Sequence, residues 1–263
     1  MNKILNLISL LIILIFFISL LGILILSWVF WTYGQNLPDY KQLSSYEPPV
    51  VTRVYAGNGA LLSEFAIEKR VFVPISSIPP LVINAFLSAE DKDFFNHFGL
   101  DLKAILRAIL TNINNLGKNK RAIGASTITQ QVAKNFLLSS DYSLDRKIKE
   151  AILSVRIERA FSKQHILELY LNEIYLGFGS YGVAAASLNY FNKSLNELTL
   201  SEAAFLAALP KAPSNYHPIN KKNIATSRRN WVLTQMLENN YINQSQYNES
   251  SNTELKIFTR SGF

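Results

Sequence analysis

The sequence predicts a mainly α-helical domain that follows one N-terminal transmembrane helix. No charged residue occurs in the stretch 4–38, and its apolar part, Leu5–Trp31, has about 27 residues, or roughly 40 Å as a helix, enough to cross a bilayer. From Pro79 onward, apolar residues recur at helical spacing almost throughout. Only the stretch 51–75 has strand character, as two short strands around the turn AGNGA.

The apolar N-terminal run is typical of a membrane anchor that is not cleaved. A secretory signal peptide has a shorter apolar core followed by small residues, whereas this run ends in the aromatic stretch SWVFWTYGQ, which suits a membrane interface. Lys3 and the α-amino group precede the run and favour an orientation with the N-terminus inside and the domain outside. The alternative, a core helix of a soluble protein, is disfavoured because few soluble cores accept an uncharged helix of this length.

Composition divides the chain into four parts. The cytoplasmic tip and anchor are expected at residues 1–33, and a Pro-rich extended linker at 34–50. The globular domain is expected at 51–250, and residues 251–263 form a tail that would begin a further C-terminal region.

The charge balance predicts an anionic partner. The chain has 26 Lys and Arg against 19 Asp and Glu, and lipid headgroups, phosphates and nucleic acid are anions that such a surplus attracts. Tethering to a membrane favours the first two, so no nucleic-acid partner is expected. The absence of cysteine excludes disulfides, thiolate metal sites and a cysteine nucleophile. His97, His165 and His217 lack ligand spacing, so no dedicated metal site is expected either.

Glu90 is the first candidate for chemistry. It follows the apolar stretch PPLVINAFLSA, predicted to be a helix, so its carboxyl group lies at the negative end of that helix against apolar surface. Both features disfavour the charged form, and a carboxyl group with a raised pKa can act as a general base or acid near neutral pH. The alternative is an ordinary solvated carboxylate at a helix end. Asp91 is expected to hold the local turn or a basic neighbour, and Phe94 and His97 to fix the loop by packing.

A second candidate site is the stretch GASTITQQVAKN at residues 124–135. Its TITQ segment fits a capping box, so a helix is expected to start at Ser126 or Thr127. Gln131 and Lys134 then lie about one turn apart near the N-terminus of that helix, where backbone N–H groups favour a phosphate. The alternative is a helix cap without a binding role.

Two further helices carry basic residues. In SLDRKIKEAILSVRIER, Glu150 is expected to be half-buried and to hold Arg146 and Lys147 around an anion, or else to form a simple i,i+4 salt bridge. The expected core stripe of this helix is Leu144, Ile148, Ala151, Ile152 and Val155.

A helix at about 101–116 has one apolar stripe, interpreted either as core-facing or as lying in the membrane interface beside Lys118, Lys120 and Arg121.

Together these segments resemble the peptidoglycan glycosyltransferases of family 51, which occur alone and in class A penicillin-binding proteins. The pattern E-D-x-x-F-x-x-H-x-G is present at 90–99, G-x-S-T-I-T-Q-Q-x-x-K-N at 124–135 and R-K-x-x-E at 146–150, followed by ILELYLNEIYLG and EAAFLAALPKAPSNYHP. The stretch PPVVTRVYAGNGALLSEF is more similar to a class A penicillin-binding protein than to a monofunctional enzyme.

The resemblance implies a lysozyme-like fold with a large lobe and a membrane-facing jaw near residues 100–121. It implies inverting transfer of a glycan chain from undecaprenyl pyrophosphate to the 4-hydroxyl of lipid II, with Glu90 as the general base. The implied residues that position or neutralise the pyrophosphate are Glu150, Lys134, Arg146, Lys147 and Arg107, and the implied substrate contacts are Ser126 and Gln131. No cofactor is required, although a divalent cation could assist at the phosphates.

The resemblance also implies partners and a location, and it leaves alternatives. The partners are lipid II, lipid-linked glycan, membrane lipids and cell-wall synthesis proteins; the location is the bacterial inner membrane, with the domain on the periplasmic side. Many relatives have a basic residue where this chain has Tyr142, and no serine here is followed by lysine three positions later, as a transpeptidase site requires. The alternatives are a lysozyme-like lytic hydrolase with Glu90 as general acid, and a catalytically silent assembly partner in the membrane.

Overall fold

The computed structural model describes residues 2–35, 37–45, 52–55, 57, 61–65, 69–118, 122–139, 143–216 and 218–258. Within these ranges the chain forms ten α-helices and four short strands, which confirms the mainly α class. The helices are α1 (Asn2–Gly34), α2 (Pro80–Glu90), α3 (Leu102–Asn114), α4 (Ile128–Leu137), α5 (Leu144–Ala160), α6 (Lys163–Glu173), α7 (Val183–Phe191), α8 (Leu200–Ala208), α9 (Lys222–Glu238) and α10 (Gln244–Asn252). The strands are β1 (Thr52–Tyr55), β2 (Leu61–Phe65), β3 (Lys69–Arg70) and β4 (Ser180–Tyr181).

Helix α1 contains one segment, Ile8–Gly34, that is long and apolar enough to cross a membrane. The chain after it is docked on the domain. Residues Tyr40–Ser45 form a 3-10 turn whose Leu43 side chain is buried in the core, and Arg156 of α5 donates a hydrogen bond to the Gly34 carbonyl at 3.0 Å. The prediction of an extended linker is therefore wrong for this part, because an apolar side chain finds a core position against α5. Residues 46–51 lie outside the described residues.

The predicted hairpin is confirmed, since β1 and β2 pair antiparallel with Arg53 opposite Glu64. The prediction that strand structure is confined to the stretch 51–75 is wrong. Strand β3 pairs parallel with the distant β4, with Lys69 opposite Ser180. Each of these strands has only two residues, which is too short to leave a periodic pattern in the sequence.

The core consists of two groups of helices that meet at the end of α2. Helices α2, α8 and α9 pack against one another, and α4 packs on α5 and α6. Helix α8 lies at the centre, because its residues 203–208 are all fully buried and an all-apolar helical segment needs neighbours on every side.

Arg229 of α9 carries a buried charge and links α9 to the end of α10 through hydrogen bonds. Its guanidinium group is fully buried and donates to the carbonyl oxygens of Ser251 and Thr253, at 2.8 and 2.6 Å, and to Ser201 Oγ at 2.7 Å. The two carbonyls lie at the C-terminal end of α10, where the helix dipole favours a cation. The charge is thus accommodated by backbone oxygens.

Helix α3 has no buried residue, so the interpretation of its apolar stripe as core-facing is wrong. Its exposed large apolar side chains are Leu102, Leu106, Ile109, Leu110 and Ile113. An amphipathic helix with an uncovered apolar face is typical of a surface that binds lipid or another apolar partner. Lys120 and Arg121, predicted at headgroup level, lie outside the described residues.

Candidate active site

Glu90 is the last residue of α2, as the sequence predicts. Its Oε2 atom accepts a hydrogen bond from Gln131 Nε2 at 2.8 Å. Burial raises the pKa of Glu90 above its ordinary value, and this effect outweighs the Gln131 hydrogen bond and the positive charges of Arg228, Lys211 and Lys134, which lower it. The site therefore holds a carboxyl group that can take up and release a proton closer to neutral pH.

Asp91 fixes the geometry around Glu90. One carboxylate oxygen lies 3.0 Å from His97 Nε2, and the other accepts the backbone N–H of Ile128 at 2.9 Å. Because Ile128 is the first residue of α4, Asp91 joins the end of α2 to the start of α4. The buried Phe94 ring packs edge to face on His97, with centroids 6.2 Å apart. The structural roles predicted for Asp91, Phe94 and His97 are confirmed.

The predicted capping box at the start of α4 is also confirmed. Thr127 is the N-cap; its Oγ1 accepts from the Gln130 N–H at 3.1 Å, and Gln130 Oε1 accepts from the Thr127 N–H at 3.0 Å. Thr127 Oγ1 also donates to the Gly99 carbonyl at 2.7 Å. These bonds fix the rotation of α4, which brings Gln131 to Glu90.

Glu150 is the centre of a cluster of cations. Its side chain is almost completely buried, 1% exposed as a residue, and not half-buried as predicted. Arg146 Nε lies 3.1 Å from Glu150 Oε1, and Lys147 forms an ion pair with Oε2. Lys147 Nζ also donates to Ser126 Oγ at 2.8 Å, which ties α5 to the segment before α4.

Lys134 lies on α4, one turn after Gln131, within electrostatic range of both carboxyl groups. Burial lowers its pKa, and the nearby cations Arg146 and Lys147 add to this effect. The negative charges of Glu150 and Glu90 both raise it. One ammonium group is thus electrostatically coupled to both carboxylates. The hydrogen bonds from Gln131 to Glu90 and from Lys147 to Ser126 tie α2 to α4 and α5 to the segment before α4, so the candidates on α2 and α5 lie in one region.

The predicted core stripe of α5 is wrong, because only Ile152 of its five residues is buried and Leu144 is 85% exposed. The buried residues of α5 are Glu150, Ile152, Leu153, Ser154 and Ile157. Helix α4 covers one side of α5, while α1 and the 3-10 turn cover another. Because α5 is covered on two sides, its buried face includes Glu150. A single apolar stripe predicts only one buried side and therefore does not include this residue.

A cavity of about 320 Å³ lies beside Glu90. Its walls come from the end of α2, from α3, from the segment 123–127 and from α9, and Arg107 and Ser126 line it together with Glu90. All eight residues predicted for the site therefore belong to this cavity or to the adjoining network of Gln131, Lys134, Arg146, Lys147 and Glu150. The residue Tyr142 lies outside the described residues.

Asn112 holds α3 against this cavity. Its Nδ2 donates to the Ile123 carbonyl at 3.0 Å, and its Oδ1 accepts the Ile123 N–H at 2.8 Å. These two hydrogen bonds join α3 to the segment 123–127, which contains Ser126. The positions of these two walls of the cavity therefore depend on each other.

Two cations near Glu90 were missed by the sequence analysis. Lys211 follows α8 and Arg228 lies on α9, and both are electrostatic partners of Glu90. Burial lowers the pKa of each. The available signal was their occurrence in PKAPSNYHP and RRNWVL, but neither residue was assigned a role from the sequence.

Comparison with known proteins identifies the class of protein that carries this site. The family model described as "Transglycosylase" matches residues 58–237, and the chain belongs to this family. The mainly helical domain is thus a glycosyltransferase, as the resemblance implied.

Individual relatives are penicillin-binding proteins. The chain is 51% identical over 244 residues to penicillin-binding protein 1A of Rickettsia conorii, covering 93% of this chain and 31% of the relative. It is 50% identical over 223 residues to penicillin-binding protein 1A of Aquifex aeolicus, covering 85% and 30%. The crystal structure of penicillin-binding protein 1A from Haemophilus influenzae gives a TM-score of 0.49 at 29% identity, covering 82% of this chain and 22% of that one. The chain thus spans about a third of the length of the curated relatives it matches.

Proposed function

We propose that the domain polymerises lipid II into peptidoglycan strands. The observation that carries the proposal is the position of Glu90, which is half-buried at the cavity and hydrogen-bonded to Gln131 of α4. Lys134 follows one turn later on α4, and a bond from Lys147 to Ser126 ties the cation cluster around Glu150 to the cavity wall. A glycosyl transfer from a lipid pyrophosphate needs one base for the incoming hydroxyl and positive charge for the departing anion. This site offers both.

In the proposed reaction, Glu90 takes the proton of the acceptor's 4-hydroxyl group as that oxygen attacks the anomeric carbon of the donor. The bond from this carbon to the pyrophosphate oxygen breaks, and the configuration inverts. Lys134, Arg146 and Lys147 stabilise the departing pyrophosphate, and Glu150 holds Arg146 and Lys147 in position. Ser126 and Arg107 contact the substrate, and Gln131 orients the Glu90 carboxylate.

The proposal requires no resident metal ion. Among the residues that the structure describes, no three His, Asp or Glu side chains converge as ligands. The site carboxylates Glu90, Asp91 and Glu150 are each engaged with protein donors or cations. A divalent cation would therefore enter with the pyrophosphate oxygens and screen their charge.

We place the domain on the periplasmic side of the bacterial inner membrane, where α1 anchors it and cell-wall synthesis proteins are its expected partners. Helix α3 belongs to the membrane-facing jaw near residues 100–121, and its exposed apolar face supports contact of the jaw with lipid. The same helix forms a wall of the cavity that contains Glu90. A substrate with a long polyprenyl chain would then reach the site without leaving the membrane. This placement lets the lipid stay in the bilayer while its saccharide reacts.

The absence of native cysteine permits a direct test of the α3 placement. An environment-sensitive fluorophore on Ile113→Cys in α3 is expected to emit as in lipid and to be quenched by spin-labelled lipids, in full-length protein reconstituted into vesicles. The matched control is Leu188→Cys, an exposed leucine of α7, whose label is expected to emit as in water. Equal quenching at both positions would contradict the proposed interfacial helix.

The proposed function is tested with the full chain and fluorescent lipid II. Polymer of increasing length is the expected product. Release of soluble fragments from lipid-free glycan, without polymerisation, would indicate a lytic hydrolase instead. Binding of lipid II without any turnover would indicate a silent assembly partner.

A further inference from the structure

We propose that Trp231 stacks on a sugar of the acceptor and thereby sets how its saccharide lies beside Glu90; this inference rests on the proposed function. Trp231 lies on α9, is 39% exposed and lines the cavity that contains Glu90. Gln235, one turn further along α9, lines the same wall. The chain's other two tryptophans, Trp28 and Trp31, are in α1.

The indole ring is held in place by a cation. The guanidinium carbon of Arg228 lies 3.7 Å from the centroid of the Trp231 ring, a close cation–π contact. Arg228 covers part of the ring and restricts its rotamers, so little conformational entropy is lost when a ligand packs on the exposed part. The ring is thus a preformed flat surface.

The surroundings of the ring favour a sugar over an aliphatic chain. Apart from Trp231, the cavity wall combines polar and charged side chains such as Arg107, Asp101 and Thr111 with mostly small apolar ones, namely Ala89, Ala104, Ala108, Ala125 and Ile123. A pyranose presents C–H groups on its faces and hydroxyl groups around its edge, so one face packs on an aromatic ring while the edge reaches polar partners. Binding sites commonly combine an aromatic surface with a few polar groups in this way.

The position of the ring assigns it to the acceptor. The cavity is formed by α2, α3, α9 and the segment 123–127, and Trp231 lies on its α9 wall. The pyrophosphate cations lie on other elements: Lys134, Arg146 and Lys147 on α4 and α5, and Arg107 on α3. Glu90 lies between these two regions, since it lines the cavity and accepts a hydrogen bond from Gln131 of α4. The hydroxyl that Glu90 deprotonates is therefore delivered from the side of Trp231.

The test uses tryptophan fluorescence, which reports Trp231 alone once Trp28→Phe and Trp31→Phe are introduced in the full chain. Glu90→Gln is added so that substrate is not consumed. Lipid II in detergent micelles is expected to change the emission of Trp231 and to protect it from acrylamide quenching. Undecaprenyl pyrophosphate, which lacks the saccharide, is expected to do neither in the same micelles.

Kinetics supply the second readout, in otherwise unchanged protein. Trp231→Ala is expected to raise the KM for lipid II about tenfold, and Trp231→Phe to restore most of the loss, because a smaller ring still stacks. Binding of lipid II is checked separately by the fluorescence anisotropy of a labelled analogue. The inference would be overturned if both lipids changed the Trp231 emission equally, or if lipid II bound without changing it. If labelled lipid II does not bind at all, the proposed function fails and the inference with it.

Discussion

Glu90→Gln is expected to lower the rate of lipid II polymerisation by about 10²–10⁴-fold, the usual contribution of a general base. Glutamine has nearly the same shape and can still pair with Gln131, so the fold is expected to stay intact. The variant is compared with wild type by the yield of fluorescent polymer at matched protein concentration. Glu249→Gln, an exposed carboxyl of α10, is the control and is expected to keep full activity. Equal activity of wild type and Glu90→Gln would exclude the mechanism.

The pH dependence follows from the direction of the Glu90 pKa shift. Because burial raises this pKa, the base form is lost at a higher pH than for an ordinary carboxylate, and kcat/KM falls on the acid side accordingly. Gln131→Leu removes a hydrogen bond that lowers the pKa, so the acid limb is expected to move to still higher pH.

The effect of Glu90 ionisation on the free energy of unfolding changes with pH in the opposite direction from that of a salt-bridged carboxylate. The folded state holds the Glu90 proton more tightly than the unfolded chain does, so its contribution to stability is lost as pH rises through the raised pKa. Because glutamine does not ionise, the Glu90→Gln variant does not lose this stability as pH rises. The melting temperature of the variant relative to wild type is therefore expected to rise with pH over that range.

The sequence predicted those parts of the site that depend on local patterns. The helix ending at Glu90 and the capping box at Thr127 follow from neighbouring residues, and both were placed correctly. The cations Lys134, Arg146 and Lys147 were found because helical spacing brings residues three or four positions apart together.

The remaining parts depend on contacts between distant segments. Lys211 and Arg228 reach Glu90 only because α8 and α9 pack on α2, and no spacing in the sequence encodes that arrangement. The complete burial of Glu150 likewise requires neighbours on several sides of α5. The docked turn at Leu43 was missed because its proline-rich surroundings are typical of an extended linker.

Glu150→Ala is expected to destabilise the fold by about 3 kcal/mol, because removal of one partner leaves buried cations without their counter-charge. Arg146 and Lys147 lose their shared carboxylate, and the pKa of Lys134 falls further because Glu150 raises it in wild type. Polymerisation is expected to be lost as well, since these cations would no longer be held toward the pyrophosphate. Chemical denaturation and the polymer assay measure the two effects separately.

Asp145→Asn is the matched control for Glu150, because it also removes a carboxylate from α5. The Asp145 side chain is 50% exposed and pairs with Lys149 at 2.7 Å, a surface i,i+4 pair that contributes only about 0.2–0.5 kcal/mol. Inorganic pyrophosphate then measures binding: because Glu150 still holds Arg146 and Lys147 in Asp145→Asn, pyrophosphate is expected to raise the melting temperature of Asp145→Asn as much as that of wild type, and that of Glu150→Ala less. No rise in the melting temperature of wild type and Asp145→Asn would show that Lys134, Arg146 and Lys147 do not converge on a phosphate group, and the proposed role of the cluster would have to be abandoned.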